Sequence, residues 1–205
     1  DRILACKGLI LTALSTKNSR QLSRWIKHLD REIEQQILGD GGHVSRSPSI
    51  ELSLLRHLIE IRSALRDAKE EVSHTLQTAI DKTAPMVRFF RHGDGGLGLF
   101  NGSEEDEGWL IDVVLTRSEA RGKPLESAPH SGFERLSANR TLLLVDVGKP
   151  PPAGFDQRAH AGTLSFEMSV GKERVITNCG AHFGATEAWL KAQRTTAAHS
   201  TVTVE

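Results

Sequence analysis

The sequence contains no tyrosine, and only two cysteines and two methionines among its 205 residues. Without tyrosine the chain has no phenol to offer as an acid or base. Cys6 and Cys179 fall in segments of different type, one helix-like and one strand-like. A disulfide framework is therefore not expected, and both are read as free, buried thiols. Net charge is also missing, since 26 basic residues balance 26 acidic ones. That balance excludes a long-range pull toward nucleic acid or an anionic membrane, yet it allows a local basic cleft. No apolar run approaches the roughly 18 residues of a membrane span. The run Leu9-Ile10-Leu11 is bounded by Lys7 and Thr12. There is no initiator Met and no signal-peptide pattern. The chain opens inside an apolar-periodic segment and stops inside a strand-like run, so we read it as a fragment of a longer protein.

Residues 1–91 read as helical. Asn18-Ser19 can cap a helix in which Leu22, Trp25, Ile26, Leu29, Ile33 and Ile37 recur at steps of three and four. Gly39-Asp40-Gly41-Gly42 stops it. Pro48 suits the first position of the next helix, with Leu52, Leu55, Leu58, Ile59 and Leu65 as its apolar stripe. A last helix runs from about Glu71 through Leu76, Ala79 and Ile80, and Pro85 ends or kinks it.

Residues 92–205 change character. Short strand candidates are Leu97–Phe100, Trp109–Leu115, Gly132–Leu136, Thr141–Val147 and Ser200–Val204, with Gly, Pro and Asn clusters between them. A hairpin is expected where Leu164, Phe166 and Met168 alternate with Ser165, Glu167 and Ser169, before the turn Val170-Gly171-Lys172 and the run Val175-Ile176. Helices followed by strands make an α+β chain of two segregated layers, with the boundary near residues 91–96. Gly93-Asp-Gly-Gly-Leu-Gly98 fits G-x-G-x-x-G. However, a dinucleotide site needs a strand before that motif and a helix after it, and here the order is reversed. It is read as a junction turn. Glu104-Glu-Asp-Glu107 lacks the spacing of a calcium loop and is read as a solvated turn.

Three pieces of the second half stand out together: His160-Ala-Gly-Thr-Leu-Ser-Phe-Glu167, Asn178-Cys-Gly180 and Ala198-His-Ser-Thr-Val202. Combined, they resemble the second characteristic block of heparinase II/III-type polysaccharide lyases. The loop Asp40-Gly-Gly-His-Val-Ser-Arg-Ser-Pro48 is similar to the family's first block, an Asp-Gly turn followed by a Ser-Pro that opens a helix. The resemblance implies the last helices of an α/α toroid over residues 1–91 and the start of an antiparallel β-sandwich over residues 92–205. It also implies a bacterial lyase that cuts acidic, uronate-containing polysaccharide, such as a glycosaminoglycan, by β-elimination in the periplasm or cell envelope. The alternative is a glycan-binding protein of the same fold with altered or lost chemistry.

β-Elimination needs a partner for the uronate carboxylate, a base for the C5 proton and an acid for the leaving oxygen. The family's first block usually supplies a tyrosine, and His43 is the substitute expected here. Arg46 is assigned to the carboxylate, and His160 is a further catalytic candidate that, with His199, is expected as a site or metal residue. Arg88, Arg91 and Arg158 are the expected substrate-binding cations, because guanidinium pairs with carboxylate in a two-pronged fashion. Family members that hold zinc do so with His, Asp and His. The counterparts here are His160, Asn178 and His199, so a divalent metal is the one cofactor the resemblance suggests, with a neutral amide in place of a carboxylate. All these groups must meet around one sugar ring, so His43, Arg46, His160 and His199 are expected in one cleft between the layers.

Overall fold

Helix α2, Ser19–Gln36, begins at its expected cap: the Asn18 side chain accepts from the Gln21 amide at 3.1 Å. The structure is a computed structural model that describes residues 2–182 and 184–203. In it α2 packs against α1, Arg2–Ser15, and α1 in turn contacts α3, Pro48–Asp67. Proline opens α3, where its missing N–H would have had no partner in any case. Leu55, Leu58, Ile61 and Leu65 of α3 are fully buried. Helix α4, His74–Phe89, is capped by the Ser73 hydroxyl, which accepts from the Leu76 amide at 3.2 Å. It does not end at Pro85. The carbonyl that Pro85 leaves unpaired belongs to exposed Asp81, where water can satisfy it, so the helix runs on to Phe89.

Three of the expected strands have another form. Residues from Trp109 to Leu115 lie in helix α5, Gly108–Ser118, with Ile111, Val114, Leu115 and Ser118 buried against α3 and α4. That spacing of three, four and seven is a helical face, and it outweighs the β-branched content. Arg62 of α3 is 1% exposed and donates to the Arg117 and Ser118 carbonyls at 2.7 and 3.0 Å, which satisfies the end of α5. Leu97–Phe100 forms only a single bridge, Arg91 to Leu97, and residues 200–203 form no strand; Val204 lies outside the described residues.

The sheet is an antiparallel meander in the order β1 (Ser127–Ala128), β2 (Phe133–Ala138), β3 (Thr141–Asp146), β4 (Phe166–Val170) and β5 (Glu173–Ile176). The alternation expected in β4 is present, but its polar side faces inward. Ser165, Glu167 and Ser169 are buried, whereas Leu164 is 61% exposed. On the opposite face, Leu136, Leu143, Met168 and Ile176 align as one cross-strand row. A sheet with apolar rows on its outer face and a core on its inner face has the pattern of a sandwich layer. The inner face joins the helices through Phe133, whose ring meets those of Phe90 (4.9 Å) and Phe100 (5.3 Å) edge to face. One continuous core therefore runs from α1 to β3.

The glycine-rich stretch docks the helical end onto the hairpin. A Cβ on Gly93 would lie 1.8 Å from the Gly171 carbonyl oxygen in the β4–β5 turn. Backbone cannot yield as a flexible side chain can, so Gly93→Ala is expected to cost about 1–3 kcal/mol. A thermal melt of the variant checks this, and an unchanged midpoint would show that the turn can shift freely.

Candidate functional site

The chain between α2 and α3 is held in a fixed shape by its own polar groups. Asp40 accepts from the Ser131 amide and hydroxyl, both at 2.7 Å, tying this loop to the turn before β2. A Cβ on Gly42 would lie 2.0 Å from the Ser131 hydroxyl, so the approach requires glycine. His43 is 6% exposed. Its Nδ1 accepts from the Ser45 amide at 3.1 Å and sits 2.7 Å from the Ser45 hydroxyl. An amide can only donate, so Nδ1 carries the lone pair and Nε2–H donates to Gln36 Oε1 at 3.3 Å. Burial lowers the pKa of His43 to about 4, which keeps the ring neutral near pH 7. Beneath it, Glu51 accepts from the His43 amide, and burial holds its carboxyl well above the usual carboxylate range.

Arg46 is buried rather than presented to a ligand. It pairs with Asp146 and donates to the carbonyls of Ser131 (2.7 Å), Lys149 (2.6 Å) and Gly132 (3.1 Å). Its guanidinium also lies over the Phe133 ring at 4.8 Å. These contacts use its donors on the sheet and make it a bolt between the layers. Arg88 and Arg91, expected at the cleft, are engaged by α5 and its flanks. Arg88 donates to the Ala120 carbonyl at 2.6 Å, and Arg91 pairs with Asp112 at 2.7 Å.

His43 does face the other layer. It lines a cleft of about 700 Å³ with Ser45, Ser49, His57 and Arg2 on the helical side and Phe155, Gln157 and Arg158 on the loop that leads into β4. The His43 and Phe155 rings meet edge to face at 6.2 Å. Glu104, Glu105 and Asp106 form the acidic part of the wall. The run read as a solvated turn thus contributes to the cleft, and burial raises the Asp106 pKa.

His160 and His199 come together outside that lining. Their rings are perpendicular, with His160 Nδ1 3.2 Å from His199 Nε2. His199 Nδ1 lies 2.8 Å from the Thr195 carbonyl. A carbonyl can only accept, so His199 donates from Nδ1, and in neutral rings His160 Nδ1–H then donates to His199 Nε2. The Nε2 of His160 keeps its lone pair. Burial, then the charges of His199 and Arg194, lower the His160 pKa to about 4. A Cβ on Gly102 would lie 3.4 Å from His160 Nε2 and 2.6 Å from the Arg158 carbonyl. Gly102 sits between Asn101, which donates to the Arg46 carbonyl at 3.1 Å, and Ser103, whose hydroxyl meets that of Ser47 at 3.0 Å. The 101–103 turn therefore separates the histidine pair from the 43–47 loop. The four expected residues form two neighbouring groups, not one lining.

Asn178 does not face the pair. Its Oδ1 accepts from the Ser200 amide at 3.1 Å, and its Nδ2 donates to Glu167 Oε1 at 3.2 Å. Among the described residues no set of three His, Cys, Asp or Glu side chains could hold a metal. His160, Asn178 and His199 as arranged do not fit zinc, because their third member is a committed neutral amide. Glu167 escaped notice in the sequence. It is fully buried and also accepts from the amides of Leu99 (2.9 Å) and Asn178 (3.0 Å), while its other oxygen lies 3.0 Å from His92 Nε2. The signal was present in the inward-facing polar stripe of β4 and in His92 at the end of the helical layer. Cys179, beside Asn178, is exposed and not buried as expected.

This α+β arrangement, helices followed by an antiparallel sheet, is the fold of solved heparinases. A heparinase III gene product superposes with a TM-score of 0.78 at 19% identity, covering 98% of this chain and 36% of its own length. The heparan sulfate lyase of Pedobacter heparinus gives 0.75 at 18% identity, with 98% and 36% covered. The Heparinase II/III-like, C-terminal family matches residues 120–205. FtsZ-localized protein C of Caulobacter vibrioides is 34% identical over 155 residues, which is 76% of this chain and 27% of that protein. Residues 120–205 thus belong to the Heparinase II/III-like, C-terminal family, and the chain spans only about a quarter to a third of the length of these relatives.

Proposed function

We propose that this chain forms part of a polysaccharide lyase that cleaves an acidic, uronate-containing polysaccharide by β-elimination. On this proposal the helical layer, α1 to α5, supplies a toroid wall and the sheet with its loops a sandwich wall, with the sugar chain between them. The observation that carries it is the oriented chain Thr195–His199–His160, which leaves one unprotonated imidazole nitrogen beside Gly102 and the Arg158 backbone. A neutral imidazole is the form a base requires. His160 Nε2 takes the C5 proton, and the electron pair forms the C4–C5 double bond as the C4–oxygen bond breaks. The leaving oxygen receives the proton back from His160 when both lie on one face of the ring. Arg158, on the cleft wall, takes the carboxylate role expected of Arg46. His43, capped by Ser45 and Gln36, shapes the wall without carrying the proton.

Incubating the full-length protein with a panel of uronate polymers tests this. The expected result is unsaturated, ultraviolet-absorbing chain ends, and a panel that yields none overturns the proposal. A second reading, glycan binding without turnover, is favoured by the absent tyrosine, the neutralised Arg46 and the committed Asn178. It also suits the similarity to a protein named for its localisation with FtsZ. Retention of a polymer on the protein with no new chain ends would select it.

A further inference from the structure

The spacing of His160 and His199 alone does not distinguish a hydrogen bond from a shared metal. Two nitrogens bound to one tetrahedral zinc at about 2.0–2.1 Å lie roughly 3.3 Å apart, close to the 3.2 Å found. The third position decides. Asn178 is 2% exposed, and each end of its amide has a partner that only an amide can serve at once. Oδ1 accepts from the Ser200 amide, next to His199, and Nδ2 donates to Glu167. Glu167 Oε1 also accepts from the Asn178 backbone amide at 3.0 Å. The segment that follows is tied back by the same turn, with the Ser200 hydroxyl donating to the Thr177 carbonyl at 3.0 Å and the Cys179 amide donating to the Ala198 carbonyl at 3.2 Å.

We infer that Glu167 and Asn178 together replace a metal as the tie that fixes the 195–200 segment, so that the His160–His199 pair is held by hydrogen bonds alone. The logic lies in the charges. An aspartate at 178 would set two carboxylates about as close as the present 3.2 Å contact, in a buried place where charges are weakly screened. The buried Glu167 instead faces an amide, which donates to it where an ionised aspartate could not, and an amide is a poor partner for zinc. Glu167 and Asn178 are positioning residues that act on His199 through Ser200. The inference is independent of whether the protein turns over a substrate.

Two measurements on the full-length protein test it, neither of which reads activity. In the first, the wild-type protein is titrated with zinc against a chromophoric chelator, and its melting is followed with and without EDTA. The expected result is that no equivalent of zinc is withheld from the chelator and that the midpoint is unchanged. One equivalent held against the chelator, with a midpoint that falls in EDTA, overturns the inference. In the second, Asn178→Asp is compared with the double variant Glu167→Gln/Asn178→Asp. The single change is expected to lower the midpoint, and the double change is expected to recover part of that loss because one carboxylate of the facing pair is gone. A single variant as stable as wild type, or a double variant worse than the sum of its parts, overturns it. Should Asn178→Asp fail to fold, Asn178→Ser removes the amide donor without adding charge. It is expected to perturb the His199 ring resonances in nitrogen-15 spectra, and unchanged resonances count against the tie.

Discussion

Arg46→Met is expected to lower stability by about 3–5 kcal/mol, the usual cost of leaving one partner of a buried ion pair uncompensated. The guanidinium and the Asp146 carboxylate are 8% and 4% exposed. The substitution also strands the carbonyls of Ser131, Gly132 and Lys149, which accept from Arg46. Gly148 marks how closely the guanidinium is enclosed, since a Cβ there would lie 2.4 Å from Arg46 Nη2. The effect should depend on pH in a definite direction. Burial raises the Asp146 pKa, while Arg46 and the Gly148 amide pull it back down. Without Arg46 the carboxyl rises further and binds a proton more readily in the fold than in the unfolded chain. Its contribution to stability then falls as pH rises. The deficit against wild type is therefore expected to be largest at neutral pH and to shrink in mild acid. Chemical unfolding of both proteins at several pH values measures it, and a deficit that does not change with pH would remove the stranded carboxylate as its cause. In Arg46→Met/Asp146→Leu both charges are gone, and the part of the loss that comes from the stranded carboxylate should be recovered.

How far the sequence carried this picture depended on whether the evidence was local. The helical layer was legible because capping and periodicity are local: Asn18, Pro48 and the stripe from Leu52 to Leu65 stand where helix physics puts them. Helix α5 was misread because β-branched residues crowd it, yet its buried face follows the helical spacing of Ile111, Val114, Leu115 and Ser118. The β4 alternation was legible, but the direction of its faces was not. Glu167 and Ser169 point inward because His92 and the Leu99 amide wait there, supplied by residues about 70 positions earlier. The histidines of the site were visible as a pattern. Which of their nitrogens are committed depends on a carbonyl at Thr195, an amide at Ser45 and a glutamine at Gln36, none of which marks itself in sequence. Arg46 was identified as functional and not as a bolt because its partner, Asp146, lies 100 residues away.

His160→Ala is expected to lower kcat/KM on a cleaved polysaccharide by roughly 100- to 10,000-fold, the range for removing a positioned acid–base group. The fold should survive, since the ring is only partly buried and, among the described residues, its one hydrogen bond is to His199. His43→Ala should behave in the opposite manner. It removes a buried ring with three polar contacts and should cost stability more than chemistry. The pH profile separates the two roles. The base form of His160 exists above its lowered pKa of about 4, so kcat/KM should rise through that region and then stay level to neutral pH. A bound uronate carboxylate would pull the pKa upward, so the limb in kcat, which reports the complex, should lie at higher pH than the limb in kcat/KM. Initial rates of ultraviolet-absorbing product over a pH series measure both limbs. Full activity in His160→Ala, or a limb that persists in that variant, would move the base to another residue and leave His160 and His199 as a brace between the hairpin and the 195–200 segment.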